Sequence, residues 1–219
     1  MSHVRRPVVA GLFYPGHPEV LRRSLDALLQ ARPLLGSPPR AMVLPPRSQA
    51  RAGEAIASAC TLLQGCASQL RRVYLVAESP YTGHDDAPHF DGHGHFQTPL
   101  GRLAVDQQRV AELVDELGGF TDDKAHDLEH RLEAPLPYLQ RTLHRFRLVP
   151  ALLPVGAARA ATRLLQGALN DDEGLLIVVD QPESTLARRL EAEAATRRLT
   201  CQPVTEAEHG RPLALSFYP

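Results

Sequence analysis

Ligand-type side chains crowd one short stretch of the chain. Residues 84–95 hold His84, Asp85, Asp86, His89, Asp91, His93 and His95. Imidazole and carboxylate together suit a transition metal such as Zn, Fe, Cu or Ni. His93 and His95 are two apart, so an extended backbone points both to one side, within reach of one ion. The candidate metal ligands are therefore His84, His89, His93 and His95. The plainer alternative is a solvated Gly/His/Asp loop, because composition alone does not build a site.

A second group is Glu129, His130 and Glu133. On a helix, positions 129 and 133 share a face with 130 beside it. Carboxylates flanking an imidazole suit acid–base chemistry. The alternative is a buried polar cluster that fixes the turn before Pro135. A third group follows the apolar run "GLLIVVD" (174–180): Asp180, Glu183, Ser184 and Thr185. Ser184 there suits a helix N-cap, with no histidine beside it in sequence for nucleophilic chemistry. "GAARAA" (156–161) lacks the Lys-Ser/Thr of a phosphate-binding loop.

The elements that position these groups alternate in type. Helical spacing covers 18–31, 50–64, 106–117, 158–169 and 184–198, and a helix starts near Pro135 or Pro137. Asp106 reads as an N-cap and Gly118-Gly119 as a stop. Apolar runs at 41–44, 71–78, 148–156, 174–180 and 212–218 read as strands. Pro150 and Pro154 predict that the third run is bent or lies at a sheet edge. Near-continuous apolar strands separated by helices predict an α/β fold of three αβα layers with a mainly parallel central sheet. One domain is expected over 1–219, with 78–101 as a long His/Asp-rich loop of little periodicity.

Four stretches, in order, resemble one family. They are "AGLFYP" near the start, "RAMVLPPRSQARAG" (40–53), "TPLGRLAVDQQ" (98–108) and "AHDLEHRLEAPLPYLQ" (125–140). The family is MEMO, also called AmmeMemoRadiSam system protein B, related in fold to LigB-type class III extradiol dioxygenases. The resemblance runs from about residue 4 to residue 180. It implies a metal-type pocket of histidines at strand ends, with a cysteine further on. In this sequence Pro46 stands where the first histidine is expected and Pro80 where the second is. Asp180 matches the family's aspartate, but Glu183 falls at its third histidine. Cys201 would be a remnant of the cysteine motif, and the family's C-terminal part would be shortened. A proline side chain has no lone pair for a metal. By the resemblance, Pro46 and Pro80 are lost ligand positions. Glu129, His130, Glu133, Asp180 and Glu183 are what remains of a degenerate pocket.

Bulk composition is that of an ordinary globular chain: 219 residues, 43% hydrophobic, 22% charged, net charge -1. Near-neutral charge gives no overall footprint for nucleic acid or an anionic membrane. Cys60, Cys66 and Cys201 lack paired disulfide spacing. No apolar run reaches signal-peptide or membrane-span length, so a soluble cytoplasmic protein is expected. Two functional readings follow. One is a non-catalytic binding or assembly module without a cofactor, whose partner is an unidentified protein or small molecule, with a homodimer allowed by the scaffold. The other is a remodelled enzyme that holds a transition metal on the histidine-rich loop.

Overall fold

The computed structural model describes residues 3–29, 38–83, 85–206 and 212–219. Its centre is an eight-stranded sheet. Four parallel strands form the middle, in the order β2 (Ala41–Leu44), β9 (Gly174–Val179), β3 (Arg72–Ser79) and β8 (Arg147–Pro154). Every residue of β2 and β9 is buried, which is why both read as unbroken apolar runs. Outside β2 lie the antiparallel β11 (Pro212–Tyr218) and β10 (Thr200–Glu206). Outside β8 lie β4 (His89–Phe90), antiparallel to it, and then β7 (Phe120–Thr121). The sheet is therefore mainly parallel, as expected, with β4 and β7 parallel to each other at one edge and antiparallel pairings at β10–β11, β11–β2 and β4–β8.

Helices cover both faces. One group is α1 (Pro18–Leu28), α2 (Gln49–Thr61) and α5 (Leu136–Thr142), with α2 resting on β2 and β11. The other is α3 (Gln107–Leu117), α6 (Ala158–Leu169) and α7 (Thr185–Thr196), with α6 and α7 on β9. A short helix, α4 (Asp123–Leu128), follows β7. The core is one connected apolar cluster, with Met42, Leu75, Leu152, Ile177 and Phe217 fully buried.

The predicted caps are present. Asp106 accepts from Arg109 N at 3.2 Å and Ser184 from Ala187 N at 3.1 Å. Gly118 ends α3 in the left-handed region at φ 71. A Cβ on Gly119 would lie 2.5 Å from Pro88 O, so glycine allows α3 to end against β4. The expected first helix stops at Leu28, and residues 30 and 31 lie outside the described residues.

Two expectations are corrected, and one strand was not expected. Segment 78–101 is not a featureless loop: it contains β4 and β5 (His95–Thr98). The latter sits in a second, three-stranded sheet between β1 (Val4–Arg5) and β6 (Gly101–Ala104). β8 is not an edge strand. It pairs with β3 along its whole length, while β4 covers only Ala151 and Leu152, so the missing N–H of Pro150 breaks no ladder. Finally, 200–206 forms a strand, which its polar residues and Pro203 hide.

Candidate functional site

In an open α/β sheet, ligands sit outside the carboxyl ends of the parallel strands. That end is reached by β2, β9 and β3, aligned through Leu44–Val179 and Val76–Val178. Beyond β2 the chain turns through Pro45 and Pro46, where Arg47 N donates to Pro45 O at 2.9 Å. Beyond β9, Asp180 N donates to Leu44 O, and the Asp180 carboxylate accepts from Gln181 N at 2.8 Å. Glu183 is exposed and precedes the α7 cap. Beyond β3, Pro80 is exposed. Arg131 Nη1 donates to Glu78 O at 2.5 Å, and Gly156 N donates to Glu78 Oε1 at 3.2 Å.

This crevice presents two prolines, two arginines, a half-buried Asp180 and an exposed Glu183. Among the described residues, the single cluster of three His, Cys, Asp or Glu ligand atoms close enough for one ion lies elsewhere. Cys201 is also remote. It pairs with Phe217, which pairs with Ala41, so it is level with the start of β2 and two strands away. The donors present do not fit a strand-end metal.

Glu129, His130 and Glu133 flank Arg131, which reaches the end of β3, but they do not act as a unit. Glu133 is fully buried and saturated. It accepts from Arg5 Nη1 (3.0 Å), Val8 N (2.7 Å), Val9 N (3.0 Å) and Tyr14 Oη (2.6 Å). Burial, and then the Glu133 charge, raise the Tyr14 phenol well above its ordinary pKa, so it stays a donor. Arg5 also donates to the carbonyls of His126 (2.8 Å) and Glu129 and lies 4.8 Å over the Phe96 ring. The turn at 126–133 is thereby clamped to the N-terminal strand. Glu129 accepts from Arg131 N at 2.8 Å through Oε1, while its buried Oε2 has no partner. His130 is 38% exposed and packs edge-on against Phe13.

Among the described residues, the histidines of 84–95 do not converge. His84 lies outside the described residues. His89 is buried in β4, with Nδ1 at 2.9 Å from Asp122 and Nε2 at 3.2 Å from Asp85. His95 is in β5 of the other sheet. Among the described residues, His93 alone of these histidines joins a ligand-like group, with Asp91 and Asp123, whose ligand atoms lie within 4.8 Å of one another. Its Nδ1 is 3.1 Å from Asp91, and its Nε2 is 3.6 Å from Asp127.

Sequence reasoning missed His126, which lies beneath this group. It is fully buried, with Nε2 at 3.0 Å from His89 O. A carbonyl only accepts, so Nε2 carries the proton and Nδ1 presents a lone pair. Opposite that lone pair, at 3.4 Å, is Asp91 Oδ2, and neither atom has a hydrogen-bond partner. Burial pushes His126 down to about 3 and Asp91 up to about 6. The pair is thus held between two acceptors unless a proton sits on Asp91. Asp122, which caps α4 through Ala125 N, was the readable signal that this turn is built against β4.

Comparison with known proteins agrees with the family resemblance. Residues 5–181 match the profile of a family described as Memo-like protein. A MEMO1 family protein of Aquifex aeolicus is 26% identical over 199 residues, covering 89% of this chain and 71% of its own length. One of Ignicoccus hospitalis is 30% identical over 184 residues, covering 78% and 64%. One of Methanothermobacter thermautotrophicus is 28% identical over 159 residues, covering 68% and 57%. The matches to the latter two thus span under two thirds of those relatives' lengths. Pro46, Pro80 and Asp180 fall inside the matched span, and Glu183 and Cys201 fall outside it.

Proposed function

The chain belongs to the Memo-like protein family, and we propose that it is a degenerate member: a binding or assembly module without the family's strand-end metal chemistry. The observation that carries this reading is the pair Pro46 and Pro80 at the ends of β2 and β3, where the family resemblance expects histidines. Two further features support it. Glu133 has every carboxylate lone pair engaged in holding the N-terminal strand. Arg131 lies against the end of β3, where its charge opposes a cation. No redox or hydrolytic step at the crevice belongs to this reading. Its partner is a protein or small molecule, and a homodimer is compatible with the scaffold.

A second reading rests on Asp91, His93 and Asp123, whose donors suit Zn, Fe or Cu in a remodelled site. Calorimetric titration with zinc and with ferrous iron under nitrogen separates the two. The first reading expects no stoichiometric uptake by the wild type. One equivalent that disappears in D91N/H93A supports the second. One equivalent that survives in that variant places a metal at the crevice and overturns the first.

A further inference from the structure

The amino ends of the parallel strands carry a feature that the crevice reading does not use. Two adjoining grooves, of about 420 and 590 Å³, share Ala104, Arg145 and Phe146. Four exposed arginines line them: Arg71, Arg102, Arg145 and Arg147. None of the four makes a side-chain hydrogen bond or ion pair with a described residue. The neighbouring arginines differ. Arg72 is held by Asp171 at 2.5 and 2.9 Å, Arg141 by Asp26 at 2.5 Å, Arg109 by Glu112 and Glu116, and Arg22 by Glu19.

The fold itself gives no reason for the four. Arg147 N bonds Arg71 O at 2.9 Å, and Arg72 stands opposite Arg147 in the ladder. Like charges placed across two strands destabilise a sheet. Leu100, Leu103 and Phe146 give the first groove an apolar part, and Phe146 is shared with the second. Asp106 and Glu173 also line the second groove, and the carboxylates of Asp26, Glu19 and Asp171 pair with Arg141, Arg22 and Arg72 beside the strip.

We propose that this groove docks an acidic protein segment, with its carboxylates on Arg71, Arg102, Arg145 and Arg147 and an apolar side chain against Leu103 and Phe146. The guanidinium fork matches a carboxylate in two parallel hydrogen bonds. The carboxylates in and beside the grooves keep the cationic patch short, which suits a short acidic segment over a nucleic acid whose phosphates would continue across them, and the net charge of -1 adds no long-range pull on a polyanion. The inference is independent of whether the crevice at the opposite strand ends holds a metal.

The test is fluorescence anisotropy with a labelled peptide of glutamates around one phenylalanine. Its all-glutamine counterpart and a single-stranded oligothymidine serve as competitors. The wild type is expected to bind the glutamate peptide at low salt and to weaken as salt rises. R145E/R147E should lower affinity by roughly tenfold or more, as removal of two charge-assisted contacts implies. R159E, on exposed α6 surface, should leave it unchanged. If the reversed-charge variant does not fold by circular dichroism, R145Q/R147Q replaces it with the same expectation of loss. No binding by the wild type, equal binding of the glutamine peptide, or equal affinity in the double variant overturns the proposal. Tighter binding of oligothymidine than of the glutamate peptide replaces the acidic partner with nucleic acid and also overturns it.

Discussion

Two buried carboxylates beside the same turn have opposite environments. Glu133 meets four donors, one of them the Arg5 guanidinium. Asp91 accepts from His93 through Oδ1 and directs Oδ2 at the lone pair of His126. Both are fully buried. A buried carboxylate with every lone pair engaged is a structural clamp, with no capacity left for a substrate proton or an ion. One left half-engaged responds to protons and cations. The ends of β2 and β3 lead into Pro46 and Pro80, and the sensitive carboxylate lies elsewhere, directly after β4.

The largest expected effect is at the clamp. E133Q leaves the Arg5 charge buried without its counter-charge and turns an amide N–H₂ toward donors. It should destabilise the fold by about 3–5 kcal/mol, read as a lower denaturant midpoint at unchanged slope. A loss below about 1 kcal/mol would remove the distinction between the two carboxylates.

D91N should do the reverse. The new amide donates to His126 Nδ1, while its oxygen keeps the bond from His93 N. Because the folded pKa of Asp91 is raised to about 6 from 3.8, its contribution to stability is fully present below pH about 4. It is lost as pH rises through about 6. D91N should therefore match the wild type near pH 4.5. At pH 8 it should exceed it by on the order of 1–3 kcal/mol. Greater instability of D91N at pH 8 would mean that the carboxylate is already satisfied, for example by a cation.

His126 has the opposite sign. Its folded pKa is depressed to about 3 from 6.5, so its contribution is present above pH 6.5 and lost as pH falls toward 3. By NMR its ring should stay neutral at pH 5. A protonated His126 at pH 5 would show that Asp91 is ionised there and paired with it.

Y14F is the smallest change. Three donors remain on Glu133, so the loss should be about 1 kcal/mol, the ordinary value of one hydrogen bond, measured by thermal unfolding.

Much of the scaffold was legible because it is local. Asp106 with Gly118-Gly119, Ser184 and the run Gly174–Val179 each declare a cap, a stop or a buried strand within a few residues. The two-residue β4 and β7 are too short to show a period, so 78–101 read as loop. Pro150 was misread because position in a sheet depends on which neighbour needs the N–H, which sequence does not carry. At the site, proline chemistry was readable from residue type alone. The Arg5–Glu133 pair was not, since 128 residues separate its partners. Neither was the contact of His126 with Asp91, which exists only because β4 places His89 and Asp91 over α4.

The most direct measurement is elemental analysis of tag-free protein, purified without chelators and desalted. The account predicts trace, mixed metals well below one equivalent per chain, for the wild type and D91N alike. One equivalent of a single transition metal in both proteins would contradict it, because the crevice would then hold an ion despite Pro46 and Pro80.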